Sequence, residues 1–195
     1  MFIQTETTPN PNTLKFIPGE IVMAQGTADF RNVAEATASP FAQRLFRLNG
    51  VAGVFYGRDF VAITKDEGSA WAVLKPLILG MVMDHFSQPD PKLFNDETGK
   101  SSGGGATVNS DDPTTQKIID LLDKRIRPAV AMDGGDIQFD RFEDGVVFVH
   151  MRGACAGCPS STLTLKSGIE NMLRHYVPEV VEVRAGAEAD LNSSS

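Results

Sequence analysis

The sequence predicts an α+β protein of two small domains joined by a flexible linker. Three observations carry this expectation. Two stretches with clear apolar periodicity flank a Pro-, Ser- and Gly-rich interval, and short runs of strand-type residues alternate with helical patterns on both sides of it. At 195 residues and 42% apolar content, the chain is also long enough to build two cores. The expected divisions are a first domain over 1–86, a linker over 87–112, a second domain over 113–185 and a disordered tail over 186–195.

In the first domain, Phe2 to Thr7 and Thr13 to Ile17 read as strands around a Pro9-Asn10-Pro11-Asn12 turn, because proline fixes the bend and Asn tolerates turn geometry. Ser39-Pro40 supplies a helix cap and a first-turn proline. Phe41, Leu45, Phe46 and Leu48 form the apolar face of that helix up to an Asn49-Gly50 stop. Val51 to Tyr56 and Phe60 to Thr64 are two further strands about a Gly57-Arg58-Asp59 turn. A second helix is expected from Ser69 to about His85, with Trp71, Leu74, Ile78, Val82 and Phe86 at helical spacing.

The interval 87–112 holds Pro89, Pro91, Ser101, Ser102 and Gly103-Gly104-Gly105, with almost no apolar pattern. A chain of this kind spans roughly 25 to 30 Å, enough to let two domains reorient without drifting far apart. Beyond it, Asp112 caps a helix starting at Pro113. Its buried stripe, Ile118, Ile119, Leu122, Ile126 and Val130, ends near Ala131. The strands Ile137 to Phe142 and Val146 to Met151 meet at Asp144-Gly145, a strong two-residue hairpin signal. A last helix begins at Ser160 or Ser161, and Val180 to Val183 closes the domain as a strand. The order is helix, strand, strand, helix, strand.

Net charge is −7, divided by residue count as −1 over 1–86, −3 over 87–112, −1 over 113–185 and −2 in the tail. Neither expected domain carries the basic face that a nucleic-acid binder needs. The longest apolar stretch, Trp71 to Met83, is short of the roughly 18 residues of a membrane span and is interrupted by Lys75 and Pro76. Proteins are therefore the expected partners, with no nucleic acid and no membrane. The start, Met1-Phe2-Ile3-Gln4-Thr5-Glu6, has no basic or apolar leader. That favours a bacterial cytoplasm, or the mitochondrial matrix for a processed eukaryotic form.

The only two cysteines stand together in Cys155-Ala156-Gly157-Cys158-Pro159, between the end of a strand and the start of a helix. Amide groups and the dipole of a helix N-terminus favour negative charge, so lowered thiol pKa values are expected there. The pattern leaves three readings open. Buried thiols or a structural disulfide suit the adjacent glycines and the loop position poorly. A dithiol oxidoreductase is the second, although proline normally lies between the cysteines of such motifs and here follows them. Metal or cluster ligation is the third. Tetrahedral sulfur sites usually need four thiolates and this chain has two, so ligation implies two copies.

The run Met151-Arg152-Gly153-Ala154-Cys155-Ala156-Gly157-Cys158-Pro159-Ser160-Ser161, leading into Thr164-Leu165-Lys166-Ser167-Gly168-Ile169-Glu170, resembles the C-terminal domain of NifU-like (Nfu) proteins. Asp133-Gly134-Gly135-Asp136 matches the glycine turn before that domain's first strand. Thr8-Pro9-Asn10-Pro11-Asn12-Thr13-Leu14-Lys15-Phe16 resembles the Nfu N-terminal domain, so the likeness misses only linker and tail. The resemblance implies a non-enzymatic iron-sulfur carrier. Its cargo would be a 4Fe-4S cluster bridged by Cys155 and Cys158 of two subunits, received from an upstream scaffold and handed to apo-proteins. It also implies a homodimer when loaded and an interaction role for the N-terminal domain. A dithiol-disulfide oxidoreductase is the runner-up, and a zinc-bridged structural dimer is third.

Other polar motifs have plainer readings. Asp133-Gly134-Gly135-Asp136 lacks the Lys-Ser/Thr of a nucleotide loop and the spaced acids of a calcium loop, which leaves a structural turn. His85, His150 and His175 are expected at the surface or in packing. Arg152 and Lys166 flank the thiols and either neutralise cluster charge or sit solvated, and Met151 and Leu165 are expected to pack around the site.

Overall fold

The structure, a computed structural model, describes residues 2–24, 26–89, 91–94, 112–156 and 159–185, with only the backbone of 159–162. The central linker interval 95–111, the tail 186–195, Gly157 and Cys158 lie outside the described residues.

In the first half, β1 (Gln4–Thr7) and β2 (Thr13–Ile17) form the expected hairpin. Its turn is closed by the Thr8 hydroxyl, which donates to the carbonyls of Asn10 and Thr13, and the Trp71 indole donates to the Pro11 carbonyl. β3 (Ala28–Phe30), a 3-10 turn (Glu35–Ala38), α1 (Pro40–Phe46), β4 (Val51–Tyr56), β5 (Val61–Lys65) and α2 (Trp71–Phe86) follow. The strands make one antiparallel sheet in the order β1-β2-β5-β4-β3. Because side chains alternate along a strand, Phe16, Phe30, Val54, Tyr56, Val61 and Ile63 share one face, where they form a core with Phe41 and Leu45 of α1 and Leu74, Ile78 and Val82 of α2. The Ser39 hydroxyl accepts from the Ala42 amide as the expected cap.

Three expectations for this half are corrected. β3 has no counterpart in the sequence reading, since three residues are too few for a visible alternation. Ser69 does not cap α2; its side chain lies against Gly50, and Ala70 stands at the cap without a side-chain bond. Leu93, assigned to the linker, is buried and packs with Phe94 against the first core. His85 is a packing residue, stacked 4.1 Å from the Phe41 ring, and burial together with the nearby Arg44 guanidinium lowers its pKa.

The second half runs α3 (Pro113–Leu121), a π-helical turn (Leu122–Ile126), α4 (Arg127–Met132), β6 (Gly135–Glu143), β7 (Val146–Gly153), α5 (Pro159–Tyr176) and β8 (Glu182–Ala185). The single helix expected up to Ala131 is thus widened in the middle. Pro128 has no amide hydrogen to give the Lys124 carbonyl, and a wider turn absorbs the defect. Asp144 (φ 48°) and Gly145 (φ 78°) both occupy the left-handed region that a tight hairpin turn demands. β8 pairs with β7 in parallel, so α5 is a crossover and the cysteine segment is the link from β7 into it. Ile118, Leu122, Ile126, Val130, Ile137, Val147, Val149, Ile169 and Leu173 form a second core, separate from the first.

Candidate functional site

Gly135 opens β6 and Gly153 ends β7, and the two are paired across the ladder. Two turns, Asp133-Gly134 and Ala154-Cys155, therefore emerge side by side at one end of the sheet. The Ala154 amide donates to the Gly134 carbonyl at 3.2 Å, and the Ala156 amide to the Gly153 carbonyl at 3.0 Å. Contact is close enough to dictate residue type. A Cβ at Gly135 would stand 2.6 Å from Cys155 Sγ and 2.8 Å from the Arg152 carbonyl oxygen. Gly153 has a positive φ of 63°, and a Cβ there would meet the Gly134 carbonyl oxygen at 2.7 Å. The Asp133-Gly134-Gly135-Asp136 motif is thus a structural turn, as expected, and it is the wall against which the cysteine turn packs.

Cys155 is only 6% exposed, with its side chain in the second core. Burial, reinforced by the Asp133 and Asp136 carboxylates, pushes its thiol up to about 12. This corrects the expectation of a lowered value: desolvation and two negative charges govern Cys155 in this arrangement. Cys158, its expected co-ligand, lies outside the described residues.

Asp136 is buried and fully engaged. The Arg127 guanidinium donates to both of its oxygens (2.9 and 3.1 Å), the Ile137 amide donates at 2.9 Å, and the Thr27 hydroxyl donates at 2.7 Å. Arg127 also reaches Asp123 one turn back, at 3.1 Å. Paired charges of this kind are tolerated at low exposure because each lone pair finds a donor.

Thr27 belongs to the first domain, and it is not alone in reaching this site. The register of the first sheet sets Glu6, Lys15, Ala62, Phe55 and Asp29 in one row across five strands, on the face away from α1 and α2. The Lys15 ammonium donates to the Glu6 carboxylate at 3.1 Å and to the carbonyl of Met132, the last residue of α4, at 2.9 Å. A cation at a helix C-terminus is favourable. Asn10 Nδ2 donates to the Ala154 carbonyl at 3.4 Å, and the Asp29 carboxylate accepts from the Gly153 amide. Burial raises the Asp29 pKa against the opposing pull of Arg31 and Arg152. Phe55, Phe60 and Ala62 form a small apolar cluster on the same face.

The remaining expectations sort simply. Lys166 pairs with Glu182 at 3.6 Å, Arg152 lies within the field of Asp29, and Met151 and Leu165 pack on the second core. His150 faces Asp140 and His175 meets the Tyr176 ring edge-on. Among the described residues no three His, Cys, Asp or Glu side chains are placed to hold a metal, and no helix is long and apolar enough to cross a membrane.

A sheet-and-helix domain laid against a second α+β domain whose strand-to-helix link carries a C-x-x-C pair defines a two-domain α+β protein with a paired-cysteine turn. Residues 3–89 match the family described as Scaffold protein Nfu/NifU N terminal, and residues 118–184 match the NifU-like domain. The chain belongs to the Nfu/NifU family. It is 48% identical, over its whole length, to NifU-like protein 5, mitochondrial, of Arabidopsis thaliana, and covers 71% of that protein. With the NFU1 iron-sulfur cluster scaffold homolog, mitochondrial, of Drosophila erecta it shares 48% identity over 94% of its own residues; the chain spans 64% of that relative's length. The solution structure of a NifU-like protein from Saccharomyces cerevisiae matches 50% of this chain and 87% of that one, at 30% identity and a TM-score of 0.45.

Proposed function

We propose that the chain is a non-catalytic carrier of iron-sulfur clusters, binding a 4Fe-4S cluster between two copies through Cys155 and Cys158 of each and passing it to apo-proteins. The donor count carries this reading. A cubane cluster takes four thiolates, and the chain has two cysteines, so a complete set needs a second copy. Membership of the Nfu/NifU family and the scaffold name of the Drosophila relative support a cluster as the cargo.

Each cysteine loses its proton as its sulfur bonds iron. Cys155, buried and held protonated beside Asp133 and Asp136, must turn outward to do so. The same preference favours release, because incoming thiolates that displace the ligands one at a time let this thiol return to a site where the neutral form is stable. An upstream scaffold is the proposed donor, and the first domain is the proposed recognition module. The relatives' names place those proteins in mitochondria, which supports the matrix over a bacterial cytoplasm.

Transfer is tested by mixing the loaded protein with an apo-enzyme that requires a 4Fe-4S cluster, in the presence of an iron chelator. Activity should return as fast as without chelator. Recovery that the chelator abolishes would mean that free iron, not the carrier, supplied the cluster.

A further inference from the structure

The outer face of the first sheet has no helix of its own domain over it, yet Phe55, Phe60, Ala62 and Lys15 on it are 1–6% exposed. The second domain lies against it. At Gly153, a Cβ would come within 3.0 Å of the Phe55 ring, and at Gly134 within 3.2 Å of Lys15 Cγ, so the glycine turns sit flush on this surface. The contact is polar at its edges: Asp29 takes the Gly153 amide, Asn10 takes the Ala154 carbonyl, and Thr27 takes Asp136. The two residues immediately before Cys155 are therefore held by the first domain, while Cys155 itself points into its own core.

We infer that the sheet face of the first domain is a latch for the cysteine turn of its own chain: docked, it fixes Cys155 in an inward position that excludes ligation, and a second copy is engaged only after the latch opens. Docking and bridging are then alternatives, since a turn gripped from one side at Gly153 and Ala154 has no freedom to present Sγ to a cluster shared with another chain. The latch rests on the carrier reading for its purpose, but its existence is tested without any cluster.

Two variants of the full chain separate the cases. Phe55→Glu places a charge that only the docked state buries, and Thr27→Val removes the hydroxyl bond to Asp136 while keeping side-chain shape. In reduced, metal-free protein, carbamidomethylation of Cys155 by iodoacetamide, followed by peptide mass, should accelerate at least about tenfold in Phe55→Glu and by a smaller factor in Thr27→Val, as a loss of about 1.4 kcal/mol of docking energy requires. Cluster loading should accelerate in parallel. Wild-type alkylation rates in a folded variant would overturn the latch, and Thr27→Val decides the matter if Phe55→Glu fails to fold. Faster alkylation without any cluster binding would leave the latch standing and remove the carrier reading; cluster binding with unchanged alkylation would do the reverse.

Discussion

Cys155→Ala abolishes cluster binding on anaerobic reconstitution with iron and sulfide. A dimer of the variant offers two thiolates where about four are needed, and the described residues supply no nearby trio of His, Cys, Asp or Glu to replace them. Iron and sulfide should fall to background, the broad absorption near about 400 nm should vanish, and the protein should stay monomeric. The fold survives the change, because alanine fills most of the volume of a small buried thiol. A variant that retains wild-type iron, with an unaltered circular dichroism spectrum, would show that Cys155 is not a ligand.

Gly135→Ala destabilises the second domain by about 3 kcal/mol, the upper end of what overpacking a tight interior costs. The added methyl meets Cys155 Sγ at 2.6 Å and, more seriously, the Arg152 backbone carbonyl at 2.8 Å, which is fixed in the β6–β7 ladder. Gly168→Ala is the control. It lies in α5 with nothing within 4 Å of the new methyl, and alanine there gains about 0.5–1 kcal/mol from helix propensity and a less flexible unfolded chain. Hydrogen exchange of β6 and β7 amides reports the second domain separately from the first. Equal protection in the two variants would mean that the turn yields to the methyl and that its glycines are not required by packing.

Most of the fold was legible because its signals are local. The proline-asparagine turn, the Ser39-Pro40 and Asp112-Pro113 helix starts and the Asp144-Gly145 hairpin each state their geometry within a few residues, and the structure has all of them. The π-helical turn was missed because the apolar stripe through Leu122 and Ile126 continues unbroken past Pro128, hiding the backbone defect. The cysteine pair was legible as a motif, but the state of its first thiol was not, since Asp133, Asp136 and the core that surround Cys155 are brought to it by ladder pairing. The latch did leave a trace. Val54-Phe55-Tyr56 and Val61-Ala62-Ile63 are apolar on both faces, and an antiparallel strand with one face in water alternates instead. That pattern announces a second covering layer without saying which segment supplies it, and the second-domain partners of Lys15, Thr27 and Asp29, namely Met132, Asp136 and Gly153, lie more than a hundred residues away.

Native mass spectrometry of the anaerobically reconstituted protein, with iron and sulfide analysis on the same sample, tests the shared-cluster account most directly. The account predicts a species of two chains carrying about four irons and four sulfides, which splits into bare monomers when the cluster is removed. A cluster riding on a single chain, or a stable dimer without iron, would contradict it.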